Sequence, residues 1–412
     1  MERANASIGH SDERLRSARW AVSAAFFLNG MMVGHWAPKI PVFVERLGIS
    51  ERILGQMIIL FGVGALIALL AGAWAVTRFG SPTIVRWTSL LIAPALVLMT
   101  IAPDVFTTSL ALLWLGVYLG AMDNAMNANG VGVETALGKP VMSSYHGFWS
   151  LGGVFGGLTG GAMIAALGEM GHAVLVAMMA LCLAAWAWPR YLPDSPDFTR
   201  SADQASDQQA KLVLPKSPGI YILGLVTLLG FAPEGTVIDW SALFLKEEMG
   251  APLVVSGYAV AAFSATMAFM RFRGDGLRDY FGDRRTFVVS GFVAGCGLFI
   301  AGIAGNVIVA CLGFLIAGLG MANVVPILFS AAGRYPGMAP AVGIAVVTAF
   351  GYGGLLFIPA FVGFVAEIYS IGLVFTVWAL VVALVALSGF YLPGIDRAHG
   401  ERVVEATPVT PK

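Results

Sequence analysis

Apolar runs recur along this chain at lengths that leave it few ways to fold. A helix crosses the hydrocarbon core of a bilayer in about 20 mostly apolar residues. Twelve such runs can be read, at 20–39, 52–76, 83–103, 106–133, 142–167, 171–190, 219–244, 253–272, 285–304, 307–331, 339–366 and 370–392. In hydrocarbon each backbone N–H and C=O must find its partner within the segment, so each run reads as an α-helix. Composition agrees: 58% of the 412 residues are hydrophobic and 12% are charged, where a soluble domain carries roughly 25% charge. The expected fold class is an all-α integral membrane protein of twelve transmembrane helices in two six-helix bundles.

Residues 191–218 divide the runs into two sets of six. That stretch is polar, proline-bearing and without periodicity, which marks a linker. The expected organisation is a tail at 1–19, a bundle at 20–190, a linker at 191–218, a second bundle at 219–392 and a tail at 393–412. An internal repeat supports the halves. The triplet at 78–80 answers 280–282 at an offset of 202, and Gly120 to Asp123 answers Gly320 to Asn323 at 200. Pro140 answers Pro340 at the same 200. Net charge is zero, so orientation rests on where the charges lie. Of the 24 Lys and Arg, twenty fall on the side of the termini and linker and four on the other. The positive-inside rule then puts both termini and the linker in the cytoplasm. Cys182, Cys296 and Cys311 all lie inside apolar runs, and no disulfide is expected.

Polar residues inside those runs are costly, about 2.5–3.5 kcal/mol for a charge at the bilayer centre on insertion scales. The region 120–161 concentrates them: Asp123, Asn124, Asn127, Asn129, Glu134 and His146. Asp123 and Asn127 share a helix face at i,i+4. Glu234 and Asp239 lie in the seventh run, where Pro233 between Gly230 and Gly235 predicts a broken helix lining a cavity. Asp123 and Glu234, one in each half, are the candidates for carrying a proton. Asn29, Trp36, Asn124, Asn127, Tyr145, Asp239, Trp240, Asn323 and Tyr352 are the candidates for holding a solute, since amides bond hydroxyls and aromatic faces stack on sugar C–H surfaces. For each, a packed interhelical role is the competing reading; Trp20, Trp240 and Trp378 also suit an interfacial belt. Two interleaved glycine stripes follow, Gly152, Gly156, Gly160 and Gly153, Gly157, Gly161, a pattern that lets helix backbones approach. The first stripe is expected to face the second half.

Over its whole length the chain resembles the major facilitator superfamily. That family's loop between its second and third helices runs roughly Gly-x-x-x-Asp-Arg-x-Gly-x-Arg. GDGLRDYFGDRR at 274–285 keeps Asp279, Gly282 and Arg284 or Arg285, with Tyr280 in place of the arginine after the acid. AWAVTRFGSP at 73–82 keeps Arg78 and Gly80, but Thr77 stands where the acid belongs. The runs DNAMNANGVGVE, SSYHGFWSLGG and PEGTVIDWSALFL resemble more narrowly the branch of YbjJ-type inner-membrane proteins and MocC-type permeases linked to rhizopine catabolism. The resemblance implies alternating access in a bacterial inner membrane, with Arg78, Asp279 and Arg284 of the two loops as gating residues. Glu134 and His146 flank the loop around Lys139 near the cytoplasmic surface and read either as an interfacial pair or as a cytoplasmic gate.

The function expected is proton-coupled uptake of a small polar solute such as a sugar, polyol or inositol-like compound. Proton-driven efflux is the alternative, disfavoured by the lack of a Gly-Pro end to the fifth run. A membrane sensor is the alternative of another class; an enzyme would need a catalytic constellation, and none can be read. No GxxxxGK[ST] loop suggests ATP drive. No cofactor and no metal are expected. The expected partners are a small-molecule substrate, protons and the lipid bilayer, with no nucleic acid, and the chain is expected to act as a monomer.

Overall fold

The computed structural model describes residues 2–194 and 215–395, with side chains from 12 onward except at 274, 275, 341, 352 and 355. The expected linker core and C-terminal tail lie outside the described residues. Among those described, the protein is helical, and no strand occurs.

The first half holds α1 (Glu2–Leu47), α2 (Glu51–Phe79), α3 (Ser81–Ile92), α4 (Ala95–Ile101), α5 (Val105–Leu137) and α6 (Met142–Ala187). The second holds α7 (Pro218–Leu243), α8 (Tyr258–Phe281), α9 (Asp283–Gly302), α10 (Val307–Gly333), α11 (Pro340–Ile368) and α12 (Ile371–Ser388). Helices α3 and α4 make one crossing, interrupted before Pro94. Helix α6 makes two, because Gly168 at φ 73° turns the chain between them. Ten helical segments among the described residues are long and apolar enough to span, with α6 counted once. Helix α1, its apolar run interrupted by Asn29, His35 and Lys39, completes the twelve.

Within the first half α1 lies along α6 and α2 along α5; within the second, α9 packs on α10 and α12, and α7 on α11. The halves meet where α2 touches α11, α6 touches α8 and α1 touches α7. An even number of crossings returns the chain to one face, called here the near face, which bears the turns at Gly80, Gly138, Gly282 and Gly337. The far face bears those at Gly48, Gly168 and Gly250.

The glycine stripes divide the packing, but not as the spacing suggested. A side-chain carbon added at Gly152 would lie 2.2 Å from the Phe27 oxygen, and one at Gly156 2.5 Å from Gly34. At Gly160 it would meet the Pro38 ring at 2.5 Å. That stripe therefore faces α1 of its own half. The other stripe crosses to the second half: Gly157 meets the Gly257 oxygen at 2.8 Å and Gly161 the Leu253 oxygen at 2.2 Å. Helix α7 also departs from expectation. It runs unbroken through Pro233 and ends in a π-helical turn, Phe244–Glu248.

Candidate functional site

Glu234 is 7% exposed. A carboxylate at that depth needs a partner, because the desolvation of a lone charge is severe. Arg271 of α8 supplies it, with Nη2 at 3.3 Å from Oε1. The other terminal nitrogen of Arg271 donates to the Ser150 hydroxyl of α6 at 2.7 Å, and the guanidinium sits 5.5 Å from the centre of the Trp149 ring. Trp149 Nε1 donates to Asn29 Oδ1 of α1 at 2.9 Å. Asn29 Nδ2 donates in turn to the Leu119 carbonyl of α5 at 3.1 Å. One line of contacts thus runs from α7 through α8, α6 and α1 to α5, across both halves. It takes up Glu234 and Asn29 from the sequence candidates. Arg271, Ser150 and Trp149 were missed. Arg271 was grouped with the loop charges because it closes an apolar run; its position inside that run was the available signal.

A second tie crosses the halves nearer the far face. Trp36 Nε1 of α1 donates to Asp239 Oδ1 of α7 at 2.9 Å. Asp239 also lines a recess of about 30 Å³ between α7 and α11, with Trp240, Phe231, Gly351 and Ile358. That volume admits a water molecule or two.

Asp123 stands apart from both ties. It is half-buried, and its carboxylate accepts from Asn127 Nδ2 at 3.1 Å. Asn124 turns the other way and donates to the Ala68 carbonyl of α2 at 2.9 Å. Tyr145 is buried and stacks on Phe26 at 5.6 Å, with its hydroxyl unpartnered among the described residues. His146 meets the same ring edge-on at 5.1 Å. Asn323 donates to Ser290 within the second half at 3.3 Å. Trp240 and Trp378 are buried and are not belt residues, whereas Trp20 is exposed. Tyr352 lies in α11, and its side chain is outside the described residues.

At the near face the loops carry their charge differently from the motif reading. Glu134 accepts from the backbone N–H groups of Val141 and Met142 at 2.6 and 2.8 Å. It caps the first turn of α6, where a negative charge suits the helix dipole, instead of pairing with His146. Arg78 and Asp279 are exposed, and Arg284 is half-buried. The buried acid of the second-half loop is Asp283, which accepts from Arg278 Nε at 2.8 Å and from Arg334 Nη2 at 2.9 Å. It follows Gly282, whose φ is 81°. The first half repeats the turn at Gly80, φ 83°, but Ser81 follows it. An acid nevertheless reaches that spot, because Asp194 accepts from the Ser81 N–H at 2.6 Å and from its hydroxyl. Asn129 donates to Ser81 at 3.0 Å and to the Leu192 carbonyl at 2.7 Å, closing the knot.

Among the described residues no group of three or more His, Cys, Asp or Glu has the arrangement to hold a metal ion. What the architecture offers is polar and ionisable groups between two packed halves. The model of the Major Facilitator Superfamily matches residues 22–343. The chain belongs to the major facilitator superfamily. It is 30% identical to an uncharacterized MFS-type transporter of Yersinia pestis over 88% of this chain and 93% of that one. It is likewise 30% identical to the transporter y4wD of Sinorhizobium fredii, covering 91% and 98% of the two chains. Membrane protein MosC of Rhizobium meliloti is 29% identical over 85% of this chain and 84% of its own. In fold the carrier is similar to the nucleoside transporter NupG, with a TM-score of 0.70, 14% identity and coverage of 91% and 99%. It is similar too to an inward-open form of the xylose transporter XylE of E. coli, with a TM-score of 0.71, 14% identity and coverage of 92% and 96%.

Proposed function

We propose that this membrane transporter takes up a small polar solute, a sugar, polyol or inositol-like compound, together with protons. The observation that carries the reading is the buried Glu234–Arg271 pair, tied through Ser150 to the opposite half. A proton on Glu234 dissolves that ion pair and frees Arg271, the side chain that reaches across to Ser150 of the other half, which couples protonation to rocking. Asp123, on α5 of the first half and bonded to Asn127 one turn along the same helix, is the second proton-handling group. Asn29 and Trp149 bring an amide and an indole together beside the Arg271 tie, and Asn127 adds an amide beside Asp123; amides suit hydroxyl groups and the indole a sugar face. A D-xylose-proton symporter shares the fold, with a TM-score of 0.69 and 16% identity; at that identity the likeness is one of fold. In this reading the near face is the cytoplasmic face of a bacterial inner membrane. The units are the bundles 20–190 and 219–392, and the carrier acts as a monomer.

The test starts with thermal melts of the purified protein against sugars, polyols and amino sugars, because a ligand of the folded state stabilises by RT ln(1 + [L]/Kd). Uptake of the best binder is then followed in proteoliposomes with the lumen held alkaline. Wild type should accumulate it, whereas Asp123→Asn should still bind and exchange it without accumulation. Accumulation by Asp123→Asn at the wild-type level would leave Glu234 as the coupling group. Outward movement against the gradient would replace uptake by efflux.

A further inference from the structure

A second set of ionisable groups lies in the first bundle, towards the far face and away from the Glu234–Arg271 tie. His35 of α1 and His172 of α6 are fully buried. His35 Nδ1 and His172 Nε2 lie 3.1 Å apart, with the ring centres at 5.1 Å. The outer nitrogens, His35 Nε2 and His172 Nδ1, have no hydrogen-bond partner among the described residues. Phe155 presents its ring to His35 at 5.8 Å. One turn further along α1, Lys39 is also fully buried. Its Nζ donates to Thr100 Oγ1 at 2.5 Å and to Glu169 Oε1 at 2.9 Å. Arg46, partly exposed at the far face, completes the group with Nη1 at 3.1 Å from Glu169 Oε2.

The proton count of the pair is constrained. Each neutral imidazole has one N–H and one lone pair. One N–H must lie between the facing nitrogens. One outer nitrogen then carries an N–H and the other a bare lone pair, so exactly one acceptor site is vacant. A proton added there turns the contact into N–H⁺···N, a charge-assisted hydrogen bond. A second proton would force two N–H groups to face each other, so the pair's capacity is one. We propose that His35 and His172 together form a one-proton site that exchanges with the far face when that face opens, on the side of Lys39, Glu169 and Arg46.

The groups facing the pair set when it fills. Helix α1 brings Lys39 and Arg46, and α6 brings Glu169. Helix α4, packed on α6, brings only the Thr100 hydroxyl. Across α1, α7 brings Asp239, already bonded to Trp36. Both rings are shut away from water, with Lys39 one turn from His35, so a charge on the pair would go unsolvated and the pair stays neutral while the far face is sealed as here. Opening that face admits water, screens the cations and lets the proton in. The use of this site in transport rests on the proton-coupled reading; its existence does not.

The test is ¹⁵N NMR of the full-length protein, labelled at histidine and held in lipid nanodiscs. The chain has five histidines, and His35→Gln and His172→Gln assign the two signals. The expected result at neutral pH is coupling between the two rings through their shared hydrogen. Acidification across roughly pH 8 to 5, where histidine ordinarily titrates, should change both rings together by one proton per pair. The response should come more readily in Glu367→Gln, since Glu367 of α11 holds Ser50 and Arg52 of the first half at the far face. In His172→Gln, His35 should lose that response; His172→Asn, which is smaller, repeats the measurement if the glutamine variant folds poorly. Absence of the coupling overturns the proposal. So does a His35 response that is unchanged without His172, or rings that stay neutral in both wild type and Glu367→Gln. A pair that titrates in a carrier whose uptake ignores the pH gradient would sink the coupling reading and leave this site standing.

Discussion

Arg271 decides whether Glu234 is tolerated. Removing one member of a buried ion pair strands the other, at about 3–5 kcal/mol. Replacing both removes the stranded charge as well. Arg271→Ala should therefore lower stability by about that amount, and adding Glu234→Gln should restore part of the loss, with a coupling energy of roughly 1–3 kcal/mol. Thermal melts of the two single variants and the double variant measure this; additive losses would mean the pair contributes nothing jointly. Glu234 was legible in the sequence because a carboxylate inside an apolar run stands out. Its partner was not, since Arg271 ends such a run and a long arginine can point to the loop or back into the bundle with the same sequence around it. Asp123 was legible for the same reason as Glu234. Its isolation from the second half was not, because nothing in spacing along one helix reports what other helices place opposite it.

Helices read well at the level of existence and poorly at the level of facing. Glycines spaced by four announce a close approach, yet adjacent stripes sit only about 100° apart around a helix, so either could face either neighbour. The structure gives Gly156 to α1 and Gly157 to α8. Gly156→Leu should thus disrupt packing inside one bundle and cut the folded yield. Gly157→Leu should leave each bundle folded, pry α6 from α8 and impair transport. Size-exclusion profiles and melts separate the two; identical profiles would show that the stripes do not divide the packing. Loop chemistry was half legible in the same way. The repeat aligned Gly80 with Gly282, but the acid that serves Gly80 arrives from Asp194, more than a hundred residues on. Asp194→Asn weakens two hydrogen bonds to a charged acceptor and should cost about 1–3 kcal/mol. Among the described residues Thr77 bonds only the Trp74 carbonyl of its own helix, at 2.8 Å, so Thr77→Ala should stay within about 0.5 kcal/mol. Equal effects in urea or thermal unfolding would remove Asp194 from the turn.

At the scale of the whole carrier, the far face is where side chains clasp the halves. Glu367 at the end of α11 accepts from the Ser50 hydroxyl at 2.6 Å and from the Arg52 N–H at 3.2 Å, and pairs with the Arg52 guanidinium at 3.4 Å. Lys246 reaches Glu45 at 3.5 Å. Beneath them Gly55 and Gly363 let α2 and α11 touch, each with a backbone oxygen of the other helix 2.4 Å from where a side-chain carbon would sit. Backbone contact of this kind is insensitive to charge, whereas exposed ion pairs are weak and screened by salt. The clasp can therefore be loosened without unfolding either half. A carrier that alternates must populate a second state with this face apart, and removing contacts made only in the sealed state raises that population. Glu367→Ala removes the three contacts of Glu367 together. Spin labels at Ile53 on α2 and Tyr369 beyond α11, in a background with Cys182, Cys296 and Cys311 replaced by serine, report the gap by double electron–electron resonance. The labelled parent protein should give one short distance. Glu367→Ala should add a longer one, and raised salt should add it to the parent protein as well. An unchanged distribution in both would mean that the glycine contacts alone seal the face, and that the charges around Glu367 take no part in setting which way the carrier opens.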